Sequence, residues 1–510
     1  MVRDKRILGL LCIIISLSAS SQRIVYSDYE RDDTRRLNFE IAGKIGGNFL
    51  IYKNIHNKNW ISVLDNDMKQ IAREEQDYVP DNDRMINVDF FAYGDFCYMI
   101  YQYQKKSTVH CCAVMIGGDG KKIGEVAELD TTHLSFASNN KIYTVLSSED
   151  KSKIIVFKIN SKNKRNYMLT TLLYDNQLGL IKKSRLGIVM EDRDDDFLGQ
   201  FQLDNEGDLI FTKYNRVNSE NIGEAAFIIK YAQADSFSVH SLNLDKTYLD
   251  EIHIKPDNYN KRYFLTSFYY KQRRGNTDGY YFYIWDKQTG SVMMEDTITF
   301  TEDLRREARG NSNIKMAFND YFIRNIITKR DGGFIIGSES YYTTSRGSAW
   351  NRWNYLYGSP YMRPIDYYYY SPYYSNWWNS RFYDNSNYNV RYQADNIVVM
   401  SFDKYGKREW ANVISKEQYD DQTDDLISYQ VMNTGGQLHV LFNNMEKRVQ
   451  LLNDFTITPD GKINHNPTLK NLDKGYEFMP KYAKQVSAKQ IIVPCLYRNY
   501  ICFAKIDYNY

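Results

Sequence analysis

Proline is scarce, 9 in 510 residues, and no apolar run is longer than Ile7 to Leu17. A bilayer-spanning helix needs about 20 apolar residues, so no permanent transmembrane segment is expected. Net charge is nearly absent, since 65 lysines and arginines face 63 aspartates and glutamates. That balance gives no electrostatic case for nucleic acid or for an anionic membrane surface. Six cysteines are too few for a disulfide framework in a chain this long. The short motifs of catalysis are missing as well: there is no H-E-x-x-H, G-x-S-x-G, C-x-x-C or P-loop, and Gly118, Gly120 and Gly124 miss G-x-G-x-x-G by one residue. The seven histidines, His56, His110, His133, His240, His253, His439 and His465, are scattered without ligand spacing. No catalytic residue, metal ligand or cofactor is assigned, and the balance leans away from an enzyme.

What opens the chain is a targeting segment. Arg3, Lys5 and Arg6 form a basic start, Ile7 to Leu17 an apolar stretch, and Ala19-Ser20-Ser21 a small-residue cleavage site, so residues 1–21 read as a signal peptide and the protein as exported. Cys12 lies inside the apolar stretch behind Leu10-Leu11, which argues against lipidation. Five cysteines remain after cleavage, Cys97, Cys111, Cys112, Cys495 and Cys502. An odd number leaves at least one thiol unpaired. If Arg498-Asn499 is a two-residue hairpin turn, Cys495 and Cys502 lie opposite each other, within reach of a disulfide; otherwise all five serve as small buried hydrophobes.

The positive signal is a repeat. Apolar strand-like runs lead into aspartates at Asp65, Asp119, Asp175, Asp235, Asp286, Asp403, Asp460 and Asp507, with gaps of 54, 56, 60, 51, 117, 57 and 47 residues. The long gap drops to 64 when a 53-residue aromatic insert, Tyr341 to Gln393, is set aside. In the second copy, Ile86–Tyr93, Cys97–Tyr103, Val109–Ile116 and Lys121–Glu128 read as four short strands, with Gly117-Gly118-Asp119-Gly120 as the last turn. Four antiparallel strands at this period predict an all-β fold, a β-propeller of eight four-stranded blades. The copy around Asp235 lacks a glycine and is the weakest, which leaves seven as the alternative. The eighth unit stops at Tyr510 after three strands, so the run Arg23 to Tyr29 is expected to complete the last blade and close the ring, removing two exposed edges. Residues 22–510 are thus expected to form one domain. Forty-five tyrosines suit such a fold, where aromatic rings stack between sheets.

Two features point to binding, and strand alternation puts them on one face, because loops after the second and fourth strands of a blade emerge together. The insert, residues 341–393, holds 14 tyrosines, four of the seven tryptophans and five arginines against only Asp366 and Asp384. These residue types dominate binding hot spots. The residues expected to meet a protein partner or a glycan are Trp350, Trp353, Tyr357, Arg363, Tyr368, Tyr369, Tyr373, Tyr374, Trp377, Trp378 and Arg381. Three connections on the same face are acidic: Glu74, Glu75, Asp77, Asp81 and Asp83; Glu191, Asp192, Asp194, Asp195 and Asp196; Glu417, Asp420, Asp421, Asp424 and Asp425. They are expected to be solvated, to receive the basic insert, or to take calcium through oxygen ligands.

The string Asp331-Gly-Gly-Phe-Ile-Ile-Gly-Ser-Glu-Ser-Tyr-Tyr342, then a tyrosine-rich insert, then Asn396-Ile-Val-Val-Met-Ser-Phe-Asp-Lys-Tyr-Gly-Lys-Arg-Glu-Trp-Ala411 resembles a family of exported β-propeller-like proteins of Bacteroidota, over residues 331–416. The resemblance implies a Gram-negative envelope and carries over no catalytic residue. With neither lipid anchor nor sorting domain, a periplasmic or envelope-associated protein is expected. The reading is a non-enzymatic binding or scaffold component, associated with a type IX secretion or gliding complex. The alternative is a carbohydrate-binding or carbohydrate-active propeller, a glycoside hydrolase or lyase, with rim carboxylates as acid and base. For the thiols, mass analysis of unreduced protein is expected to show at least three free cysteines; two disulfides would overturn this reading.

Overall fold

The computed structural model describes residues 22–32, 34, 38–56, 58–80, 85–134, 141–163, 166–191, 196–217, 221–310, 316–345, 352, 369–370, 390–421, 423–446, 449–466 and 475–508. Their strands form seven antiparallel sheets, of which one has nine strands and the others four or five. In the second repeat the strands are Met85–Ala92, Phe96–Lys105, Thr108–Gly117 and Lys122–His133. Burial decides the order within a repeat. In the first, Asn48–Ile55 is buried almost throughout, while the fourth strand, Gln70–Glu75, is largely open to solvent.

Recurring aspartates have a local cause. Asp65 accepts the backbone N–H of Asp67 and Lys69, Asp175 those of Gln177 and Gly179, and Asp403 those of Tyr405 and Lys407. Each side chain thereby replaces the partners that a tight turn takes from its backbone. Three members of the series differ. In the Asp460 turn the cap is Thr458 Oγ1, which accepts from Lys462 N–H and donates to Asp460. Asp235 instead meets Lys182 at 3.0 Å and Ser184 at 3.4 Å, both on the third repeat's outer strand. Asp507 is not in a turn; it lies inside Tyr500–Tyr508, opposite Arg23 and Gln490.

The weak fourth repeat is also where the sheets fuse. Its outer strand, Ser238–Ser241, has only four residues. The two-residue strand Tyr248–Leu249 pairs with Ile222 on one side and with Tyr269 and Tyr270 on the other, joining the fourth and fifth repeats into the nine-stranded sheet.

Consecutive sheets pack face to face. Ile45, Tyr52 and Val63 of the first repeat meet Val88, Met99 and Val114 of the second. Phe264 and Phe282 of the fifth interlock with Phe334 and Phe402 of the sixth, ring centroids 4.7–5.1 Å apart. Phe39 and Ile51 of the first repeat pack on Met479, Ile492 and Phe503 of the eighth. The turns between first and second strands, and the strand ends beside them, also touch in series. Gly46 N–H donates to Gly94 O, Asp150 N–H to Asn205 Oδ1, Asn205 N–H to Asn258 Oδ1, Asn433 N–H to Gln485 Oε1, and Lys44 Nζ to Gln490 Oε1. Gly118 has a steric reason to be glycine: a Cβ there would stand 2.7 Å from Ile45 O of the neighbouring repeat. This arrangement is an all-β, propeller-like fold. No helix among the described residues is long and apolar enough to cross a membrane.

At the N-terminus Gln22–Tyr26 pairs antiparallel with Tyr500–Tyr508, Ile24 opposite Ile506 and Tyr26 opposite Ala504. Tyr26 stacks on Tyr476 with centroids 4.3 Å apart. The eighth repeat's first strand is split into Tyr476–Phe478 and Lys484–Ser487 by a 3₁₀ turn at Pro480–Tyr482, and both halves pair with Gln490–Tyr497. Deleting residues 22–29 removes three half-buried hydrophobic side chains, Ile24, Val25 and Tyr26, and bares an edge. It is expected to lower unfolding stability by about 2–4 kcal/mol in urea titration; an unchanged midpoint would contradict this.

Candidate functional site

The second and third strands of the sixth repeat continue into the insert as a paired stem. Tyr341 to Ser345 oppose Ala394 to Val390. Tyr341 is buried against Phe322, Ala394 and Ile427. Of the residues expected to contact a partner, only Tyr369 is described, and through its backbone; Trp350, Trp353, Tyr357, Arg363, Tyr368, Tyr373, Tyr374, Trp377, Trp378 and Arg381 lie outside the described residues. Tyr369–Tyr370 pairs antiparallel with Asn160 and Ile159, on the second strand of the third repeat.

Two insert arginines are anchored. Arg391 makes a two-point contact with Asp421, Nε–Oδ1 2.6 Å and Nη2–Oδ2 3.0 Å, so one basic residue of the insert does meet an acidic connection. Arg352 goes elsewhere. Its guanidinium donates through Nε and Nη2 to Asp250 Oδ2, reaches Asn319 O at 3.4 Å, and lies 3.8 Å from the centre of the Phe322 ring. Both partners are buried, at 8% and 1% side-chain exposure. Burial outweighs the guanidinium and holds the Asp250 carboxyl above the usual carboxylate range. Asp250 belongs to the short link before His253–Asp257, outside the acidic runs singled out by sequence.

At the root of the stem lies a second buried group. Glu339 and Lys416 are both sequestered and 2.9 Å apart, Arg324 reaches Glu339 at 3.3 Å, and Ser428 Oγ donates to the same carboxylate. Asp395 sits where the pairing slips on both sides of its strand and accepts from Tyr342 OH at 3.0 Å. Burial pushes it up to about 6, against the Tyr342 hydrogen bond and nearby Lys416. The Lys416 ammonium is held below its ordinary value by burial, in spite of Glu339. Beside them Lys481 meets Asp424 at 2.8 Å and Tyr482 OH donates to Asp425 at 2.7 Å.

The acidic connections mostly find cations. Glu74 meets Lys121, Glu75 meets Lys58 and Asp196 meets Lys213; Asp81, Asp83, Asp192, Asp194 and Asp195 lie outside the described residues. Among the described residues one group of three carboxylates has the closeness of a cation cradle: Asp204, Glu206 and Asp208, in the first hairpin turn of the fourth repeat. The Lys287 ammonium of the fifth repeat sits among them at 2.5, 2.5 and 2.6 Å, with Tyr263 OH donating to Asp204 at 2.8 Å. Burial works against the Lys287 charge, but the three carboxylates outweigh it and raise its pKa. Hydrogen bonds from Lys261 and Lys287 pull Glu206 down to about 2.

Among the described residues the histidines do not gather into one group. His439 is fully buried on Asp454 at 3.0 Å, His110 meets Glu128, and His240 pairs with Ser238 at 2.8 Å while packing on Trp285, each in a different sheet region. Cys495 and Cys502 are opposite each other, with buried thiols 3.1 Å apart. Sequence reasoning missed Asp250, Glu339, Asp395, Lys416 and Lys287. For Glu339 and Asp395 the available signal was a charged residue inside an otherwise apolar strand, as in Phe334-Ile-Ile-Gly-Ser-Glu339-Ser-Tyr-Tyr342; Asp250 and Lys287, outside strands, gave none.

No protein family and no curated protein matches the sequence. Among solved structures the chain is similar to a polysaccharide lyase, an ulvan lyase (10% identity, TM-score 0.35, covering 81% of this chain and 90% of that one). It is also similar to the β-propeller domain of the Trilobed protease from Pyrococcus furiosus (9%, 0.37, 84% and 94%). A third similarity is to prolyl oligopeptidase B from Galerina marginata (8%, 0.40, 92% and 56%). At such TM-scores none of them assigns an activity.

Arg352→Met strands the Asp250 carboxylate in the interior and is expected to cost about 3–5 kcal/mol, most of it recovered by adding Asp250→Asn; equal stabilities of the three proteins would show the pair to be idle. Asp395 gives a pH signature. A carboxyl raised from its ordinary value near 4 to about 6 binds its proton more tightly when folded. Its contribution is therefore complete below about pH 4 and lost as pH rises through about 6. Asp395→Asn is expected to be more stable than the natural chain at pH 7–8 by up to about 3 kcal/mol and equal to it near pH 4, read from urea midpoints across that range.

Proposed function

We propose that this chain is a non-enzymatic binding or scaffold protein of a Gram-negative cell envelope, exported to the periplasm and docked to a protein partner, a type IX secretion or gliding complex being the lineage-based choice. In this reading the eight repeats form a closed eight-bladed propeller whose last blade is completed by the N-terminal strand, and the Bacteroidota resemblance supplies the envelope address. One observation carries it: the aromatic insert is tied down by its stem on the sixth repeat, beside the stem by Arg352 on Asp250, and well away from both by Tyr369–Tyr370 on the third repeat. A segment of no consequence would have no buried counter-ion waiting in a distant connection. The tyrosines, tryptophans and arginines of the insert are residue types suited to meeting a protein partner. The rim carboxylates favour binding over hydrolysis, because Asp424, Asp425 and Asp421 are each engaged by a cation or a hydroxyl.

The test replaces residues 346–389 with a short Gly-Asn turn in a chain that also carries Asp250→Asn, so that no buried charge is orphaned. Circular dichroism is expected to stay that of the natural protein, while recovery of the partner from native envelope by tagged pull-down is lost. Undiminished recovery would place recognition away from the insert.

A further inference from the structure

A groove of about 670 Å³ opens on the fourth repeat, on the face that carries the insert. It exists because the outer strand stops at Ser241. Leu242 N–H still donates to Ala225 O at 2.9 Å, and Leu249 pairs with Ile222, so the edge of Asn221–Lys230 is covered at both ends and open only around Gly223 and Glu224. Gly223, Ala225 and Leu242 contribute small and apolar groups to a lining that is otherwise largely polar. Tyr214 stacks on Phe197 beneath it, centroids 5.7 Å apart, and Tyr248 forms a wall, its hydroxyl accepting from Arg273 Nε at 3.2 Å.

Its chemistry narrows the ligand. Glu191, Asp196, Glu224 and Asp245 face Lys213, Lys246 and Arg273, nearly balanced, and Asp196 is already matched with Lys213 at 3.4 Å. A polyanion or a polycation gains nothing from such a lining. An added peptide strand needs a run of free edge, and two residues between two occupied points do not provide one. The volume lies within the roughly 300–1,000 Å³ of small-ligand sites, where apolar floors carry a few placed polar groups. Aromatic rings flanked by carboxylates, an amide and a guanidinium suit a ligand with apolar ring faces and a belt of hydroxyls.

We propose that this groove between Tyr214 and the Tyr248–Arg273 wall is a binding site for a neutral oligosaccharide, independent of the aromatic insert. The full mature chain is titrated calorimetrically with cello-, xylo-, manno- and maltohexaose. At least one is expected to bind, and Tyr214→Ala and Arg273→Ala to weaken it at least about tenfold. Ser241→Trp, at an exposed position on the groove rim, is expected to abolish binding without disturbing the fold, which covers the case in which Tyr214→Ala does not fold. The chain with residues 346–389 replaced and Asp250→Asn is expected to bind as the natural one does, so loss of the envelope partner and loss of the sugar are read separately. No binding of any of the four, binding indifferent to the groove substitutions, or binding that disappears with the insert would each overturn the assignment.

Discussion

A four-stranded sheet that is apolar on both faces cannot stand alone. Its second and third strands, such as Asn48–Ile55 and Gly279–Asp286, are buried on both sides, and burying one large apolar side chain contributes about 1.5–3 kcal/mol. Every repeat therefore needs a neighbour on each side, including the two at the ends of the chain. The contact of Phe39 and Ile51 with Met479 and Phe503, and the pairing of Gln22–Tyr26 with Tyr500–Tyr508, answer that demand for the first and last repeats. An irregular repeat is tolerated as long as it keeps both neighbours. The fourth does so with a four-residue outer strand, at the cost of an open edge that Tyr248–Leu249 only partly covers.

The two faces are held together by different means. On the side of the first hairpin turns, junctions are made by backbone groups, amides and single lysines, as in the Asp150, Asn205 and Asn258 series. That side also buries one charged cluster, Asp204 and Asp208 around Lys287, while the other buries two, Asp250 with Arg352, and Glu339 with Lys416 and Arg324. Buried pairs of this kind add little net stability, but breaking one is costly. They act as selectors of geometry, and the latter two cluster where the insert departs from and returns to the fold.

Much of the architecture was legible in the residues. Alternation and turn chemistry placed the strands of the second repeat within a few residues of Met85–Ala92 to Lys122–His133, because each is a local property of the chain. The aspartate marker worked where the side chain caps its own turn and failed at Asp235 and Asp507, whose partners are on other strands. The split of the eighth repeat's first strand around Pro480 also escaped a reading based on continuous runs. The buried charges were invisible for a different reason. Strand parity says which way Glu339 or Asp395 points, but only the fold supplies Lys416 or Tyr342 as its counterpart. Arg352 finds Asp250 from 102 residues away.

The trio Asp204, Glu206 and Asp208 has the closeness that gathers a divalent ion, and its occupant is an ammonium covalently attached to the next repeat. A tethered counter-ion cannot be diluted away or stripped by a chelator, and it does not compete with calcium for vacancy. The junction between the fourth and fifth repeats thus brings its own cation, and it is undone at either extreme of pH, by acid that protonates the carboxylates or by alkali that deprotonates a lysine three carboxylates hold in its charged form.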